Sequence, residues 1–164
     1  MIWMPMYIHM IFSYAAAVGF AVFLNAPRKT LFISGAVGMI SWTIYVILMR
    51  LNFDMMFSNF MGASVASLLC EILAIKYKKP TILFVVPGII TLIPGLGLYN
   101  TMFHIIEGKY TLALETGSNV MFASGSIALG VIVVSSIFRT YYRLEYRKFL
   151  PKYYKNDKCK EESA

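Results

Sequence analysis

Residues 81–106 read TILFVVPGIITLIPGLGLYNTMFHII. The stretch holds no Asp, Glu, Lys or Arg. It exceeds the about 20 apolar residues that a helix needs to cross a bilayer. Yet it contains Pro87-Gly88 and Pro94-Gly95, seven residues apart, with Gly97 just beyond. Each proline removes a backbone donor and clashes with the preceding turn, while each glycine permits a sharp departure from helix. Seven residues is about two turns, so both breaks face nearly the same side. The reading is a membrane helix broken at Pro-Gly, with Pro87, Gly88, Pro94 and Gly95 as hinge positions. Pro94-Gly95 falls near the middle of the span. Freed backbone groups at that depth must find protein, ion, water or substrate partners. Transporters use such discontinuous helices to bind polar solutes; a kinked helix whose neighbours satisfy the freed groups is the other reading. Tyr99, Asn100 and Thr101 follow and offer hydroxyl and amide groups, which tips the balance toward a site.

The rest of the chain agrees with a membrane setting. Of 164 residues, 59% are hydrophobic and only 14% charged, against roughly 25% charged in soluble domains. The mean hydropathy is +0.66. A soluble domain of this size would leave much of that apolar surface exposed. Disorder and a disulfide scaffold are excluded by the apolar content and by the presence of only two cysteines. Four further spans join the broken one: about 5–24, 30–49, 55–75 and 119–138. The expectation is an all-α integral membrane protein with five transmembrane helices over residues 1–138 and a basic tail over 139–164. Residues 107–118 are expected to form the last loop. The first stretch has no positive residue ahead of its apolar run and is as long as a full span, so it reads as a first helix rather than a removable signal.

Charge placement sets the expected orientation. Arg28, Lys29, Lys76, Lys78, Lys79 and the eight Lys and Arg residues from Arg139 to Lys160 fall on one side of five crossings. Only Arg50 and Lys109 fall on the other. The positive-inside rule then puts the N-terminus outside and the tail in the cytoplasm. The tail alternates basic residues with tyrosines. That pattern also occurs in RNA binding, but a topology anchor on anionic lipid headgroups is the better reading, with no nucleic-acid partner. Cys70 lies in a span and Cys159 in the tail, so no disulfide joins them.

Glu71 is the one acid within a predicted span. An intramembrane carboxylate is costly and marks a functional position by default, here a candidate for proton coupling. Its closeness to Lys76 and Lys78 gives the other reading, a snorkelling ion pair near the interface. His104 follows Tyr99 and Asn100 by about a turn and reads as structural first. Small residues line several spans, among them Ser34, Gly35, Gly38 and Ser41 in the second and Gly62 and Ala66 in the third, and let helices approach closely. No phosphate-binding loop, metal-ligand cluster or nucleophile–base pair occurs, so an enzyme is not expected, nor a cofactor.

The run PTILFVVPGIITLIPGLGLYNTM resembles the signature of the threonine/serine exporter family, in its short five-span component. The similarity extends back through Glu71, Ala74, Lys78 and Pro80 to GFAVFLNAPRKTL, with Gly19, Asn25 and Pro27, and forward to Gly108. Two positions depart from the family pattern: Thr91 replaces a proline, and Ile75 replaces an arginine that would partner Glu71. The resemblance implies efflux of small hydroxy amino acids across the bacterial cytoplasmic membrane, driven by protons. It also implies a partner, a longer exporter chain with about five further spans. On that reading Thr91, Pro94, Gly95, Tyr99 and Asn100 are the candidate substrate-binding residues for a zwitterion, and Glu71 exchanges the proton. A dicarboxylate exporter subunit and a non-transporting scaffold subunit are the alternatives.

Overall fold

The structure, a computed structural model, describes the backbone of residues 5–161 and the side chains of residues 5–28 and 30–141. The elements in chain order are α1 (Met6–Phe23), α2 (Arg28–Arg50), α3 (Met55–Tyr77), α4 (Ile82–Ile89), a 3₁₀ turn (Ile90–Leu92), α5 (Gly95–Ile106) and α6 (Tyr110–Glu161). No strand occurs among the described residues. Four helices are long and apolar enough to cross a membrane, and α4 with its 3₁₀ turn forms a fifth candidate together with α5.

Four tight turns of one design connect the long elements. Asn25, Asn52, Lys78 and Gly108 all have φ between 51° and 73°, the left-handed region that lets a helix end abruptly. The residue after each donates its N–H back across the turn: Ala26 to Ala21, Phe53 to Leu48, Lys79 to Ala74 and Lys109 to His104, at 2.9–3.1 Å. Asparagine tolerates this conformation better than most residues, and glycine best of all. The turn at Gly108 corrects the expected loop over 107–118. Only Glu107, Gly108 and Lys109 separate α5 from α6, and residues 110–118 are helical. Nor does the last helix stop at Phe138; its backbone runs on to Glu161, so the expected membrane domain and tail share one helix. Lys29 and the tail's basic side chains beyond Tyr141 lie outside the described side chains.

Packing follows the small residues. One face of α3 buries Ser58, Asn59, Gly62, Ala63, Ala66, Ser67, Cys70, Glu71 and Ala74, a stripe at helical spacing. It meets α2 on one flank and α6 on the other. On α6 the buried stripe is Ala113, Val120, Ala123, Ile127 and Gly130. A Cβ at Gly130 would stand 2.7 Å from the Phe60 carbonyl oxygen, so α6 approaches the α3 backbone where only glycine fits. The Ser67 and Ser135 hydroxyls, 3.2 Å apart, hydrogen-bond across the same seam. Lipid tails are as apolar as leucine, so close packing and such hydrogen bonds hold these helices together. The outward faces keep Phe23, Phe32, Ile106, Met121 and Ile132 exposed.

The break lies later than half of the sequence expectation. The helix passes through Pro87-Gly88 without interruption, tightens to a 3₁₀ turn and bends at Ile93 and Pro94. The segments Ile82–Leu92 and Gly95–Ile106 meet at 57°. Pro87-Gly88 therefore does not act as a break in this structure, because α2 supplies the hydrogen bonds that the proline costs.

Candidate functional site

Pro87 has no N–H to offer the Leu83 carbonyl. The Ser34 hydroxyl of α2 lies 3.4 Å from that oxygen and donates to it. Two turns along α2, Ser41 donates to the Gly88 carbonyl at 3.0 Å, where the α-helical ladder gives way to the 3₁₀ turn. Gly38 lies between them on the same face. A Cβ there would stand 2.5 Å from the Ala17 Cβ and 3.5 Å from the Pro87 carbonyl oxygen, so its absence lets α1, α2 and α4 meet. Thr91 donates to the Gly38 carbonyl at 3.3 Å. The serines and glycine of α2 are thus the polar lining of the α4 seam. Thr91, expected to face a substrate, spends its donor on α2.

At the bend the surroundings are open. Gly95 is exposed, and a Cβ there would meet nothing within 4 Å. The Gly95 N–H reaches the Ile93 carbonyl at 2.8 Å, and Leu98 N–H reaches Pro94 at 3.1 Å. No side chain caps the start of α5. Tyr99 is 64% exposed and its ring stacks on Phe103, with centroids 6.2 Å apart. Neither Tyr99 nor Asn100 hydrogen-bonds a described residue through its side chain. The opposite side of α5 closes on α6: Thr101 meets Thr116 at 3.3 Å, and a Cβ at Gly97 would stand 2.5 Å from Val120 Cγ2.

Glu71 occupies a separate place. Only 8% exposed, it accepts a hydrogen bond from Thr81 at 3.2 Å, beside the N-terminus of α4. The positive end of a helix favours a carboxylate there. Lys76 and Lys78 are exposed and neither pairs with it, whereas Lys109 pairs with Glu107 at 2.9 Å. The snorkelling pair is therefore replaced by a hydroxyl contact. Helical rise along α4 and the 3₁₀ turn sets this end about 18 Å from Pro94. The structure does not bring Glu71 together with Tyr99 or Gly95.

Sequence reasoning missed a further polar group on α1, α2 and α3. The Trp42 indole donates to His9 Nδ1 at 3.3 Å, and its ring packs on Tyr45 with centroids 5.1 Å apart. His9 Nε2 is buried with no hydrogen-bond partner. Asn59 is 2% exposed. The available signal was the placement of His9 and Asn59 inside otherwise apolar spans. His104 also keeps a buried, unpartnered Nδ1. No group of three or more His, Cys, Asp or Glu among the described residues is placed to hold a metal ion.

An all-helical chain with four or five bilayer-length apolar segments, small-residue seams and a lipid-like exterior is a multi-pass membrane protein. The chain belongs to the threonine/serine exporter family: the family described as "Threonine/Serine exporter, ThrE" matches residues 9–137. This is a family of transporters. An uncharacterized protein of Haemophilus influenzae is 25% identical over 137 residues, covering 79% of this chain and 46% of the relative. The chain thus spans about half the length of that curated relative. No solved structure matches it.

Proposed function

We propose that this chain is one membrane half of a secondary exporter that moves threonine and serine out across the bacterial cytoplasmic membrane. The observation that carries the proposal is the family match over residues 9–137, which takes in the bent α4–α5 pair. A bent helix pair at membrane depth suits a solute pathway, since irregular backbone is tolerated there only inside protein or beside a water-filled cavity. With the pair counted as one span, five crossings put the N-terminus outside and the basic end on cytoplasmic anionic headgroups. The second half would be a longer chain with about five further spans. A relative about twice the matched length supports this division.

Proton coupling is assigned to Glu71. Its partner Thr81 suits the role, because a hydroxyl donates to a carboxylate and accepts from a carboxylic acid with little rearrangement. Dicarboxylate export remains the alternative substrate class. The scaffold reading has its own support: the carbonyls near Pro87 and the Thr91 hydroxyl all find partners within the chain. Counterflow of labelled threonine into proteoliposomes, with succinate in parallel, separates the readings. It is run with this chain alone, with the longer chain alone, and with both. Transport by the pair only supports the proposal, whereas equal transport by the longer chain alone makes this chain a scaffold.

A further inference from the structure

Where α5 turns away at Pro94, the α1, α2 and α3 surface beyond the 3₁₀ turn loses the helix that would have continued along it. The α4 helix and the 3₁₀ turn pack on α1, α2 and α3, whereas α5 packs on α6. With a 57° bend and 12 residues, the far end of α5 stands about 15 Å from the line of α4. Aromatic side chains lie on the surface left behind. Trp42 and Tyr45 pack on the cluster of Ala63, Leu92 and Ile127, at the end of the 3₁₀ turn. Trp42 holds His9 by its indole hydrogen bond.

Asn59 lies one turn before Ala63 on the buried face of α3. The α2 and α3 helices run antiparallel and touch where Gly62 meets the Ser41 carbonyl, 3.1 Å from an added Cβ. From that contact, Tyr45 and Asn59 each lie about 5 Å further toward the bend's open side. His9, Trp42, Tyr45 and Asn59 therefore share one level, just past the 3₁₀ turn.

Buried polar groups in folded proteins are almost always paired, yet His9 Nε2 at this level is not. Because His9 accepts at Nδ1, the proton of its neutral ring sits on Nε2, an unused buried donor. The Asn59 amide offers two more donors and an acceptor. We infer that this level is a binding site for a small carboxylate-bearing solute, held by His9 Nε2–H and the Asn59 amide. Trp42 fixes the imidazole orientation. The Trp42 and Tyr45 ring faces suit an ammonium group on the same solute. Glu71 lies about 18 Å away along α3 and does not repel the carboxylate. The inference rests on the exporter reading and moves the solute from the outer face of α5 to the inner side of the bend.

The test uses inverted membrane vesicles from the source cell, with chromosomal variants and labelled threonine, serine and succinate as probes. Asn59→Leu removes the amide at nearly constant volume, so the protein stays in the membrane. Uptake at low solute falls at least ten-fold through a raised KM, and His9→Leu behaves alike. A second measurement covers misfolding: the thiol of the Asn59→Cys variant reacts with a maleimide, and the transported solute slows that reaction at least five-fold. Unchanged KM in both leucine variants, or no protection of the thiol, overturns the site while leaving the exporter reading intact. Wild-type vesicles that move none of the three solutes overturn the exporter reading and the site with it.

Discussion

The bend depends on how closely α5 lies on α6, and Gly97 sets that distance. A Cβ at Gly97 would stand 2.5 Å from Val120 Cγ2, whereas carbon atoms prefer about 3.5–4.0 Å. Val120 is buried and β-branched, with little rotamer freedom in a helix to move aside. Gly97→Ala therefore forces the helices apart by about 1 Å, an overpacking cost of about 1–3 kcal/mol. Alanine returns about 1 kcal/mol in helix propensity, so the single substitution destabilises by up to about 2 kcal/mol. Val120→Ala removes the clashing methyl group. Unfolding titrations in mixed micelles for wild type, both single variants and the double variant form a complete cycle. The expected coupling is at least about 1 kcal/mol in favour of the double variant. Gly95→Ala is the control, because a Cβ there meets nothing within 4 Å; it leaves stability unchanged or slightly raised. Additive singles, or a Gly95→Ala as damaging as Gly97→Ala, would refute the reasoning.

Further outcomes follow from the seams. Ser34→Ala strips the Leu83 carbonyl of its donor and costs about 1–3 kcal/mol; in a Pro87→Ala background, where a backbone N–H returns to that carbonyl, the same substitution costs measurably less in the same titration. Glu71→Gln keeps an acceptor for Thr81, so the protein stays in the membrane; pH-driven threonine movement stops while threonine–threonine exchange continues, and loss of the protein from the membrane would make Glu71 structural. Gly130→Leu drives a side chain into the Phe60 carbonyl and Ala63, and the expected result is failure to accumulate in the membrane, checked by quantitative immunoblot of membrane fractions. Normal accumulation would show that the α3–α6 seam is looser than the glycine contact requires.

The helices themselves were legible because bilayer length and Asn, Pro or Gly punctuation leave few choices. Spans one to three start and end within a few residues of α1, α2 and α3. Sequence alone suggests a loop over 107–118 because YTLALETGS is polar beside its neighbours, yet α6 starts at Tyr110. Gly108 alone closes that turn, and Thr116 hydrogen-bonds back to Leu112 and Ala113 within the helix. Pro87-Gly88 and Pro94-Gly95 look alike in sequence, yet only the second bends the chain. The difference lies on α2, in Ser34, Gly38 and Ser41, about fifty residues earlier, and nothing local to α4 reports it. Glu71 was visible as an acid in an apolar run, but its partner Thr81 was not. The unpartnered His9 Nε2, and its level with Asn59, could be seen only once three helices were placed side by side.

The α2 helix explains why the chain has two polar environments rather than one. On the Glu71 side of Pro94, α4 lies against Ser34, Gly38 and Ser41, and every freed carbonyl named there has a hydroxyl, so the seam is sealed. Past the 3₁₀ turn the same α2 face continues into Trp42 and Tyr45, while α5 turns away to pack on α6. On the proposed reading, a proton group in the sealed part and a solute group past the 3₁₀ turn would be joined by one short element, α4 with its 3₁₀ turn. Movement of that element along the serine face would change both ends together, and Thr91 and Gly38 are the contact such a movement must break. Thr91→Val removes that hydrogen bond without adding volume. It should therefore alter coupling, measured as threonine moved per proton, while Asn59→Leu alters KM alone. Equal effects of the two substitutions on both quantities would show that the two environments act as a single site.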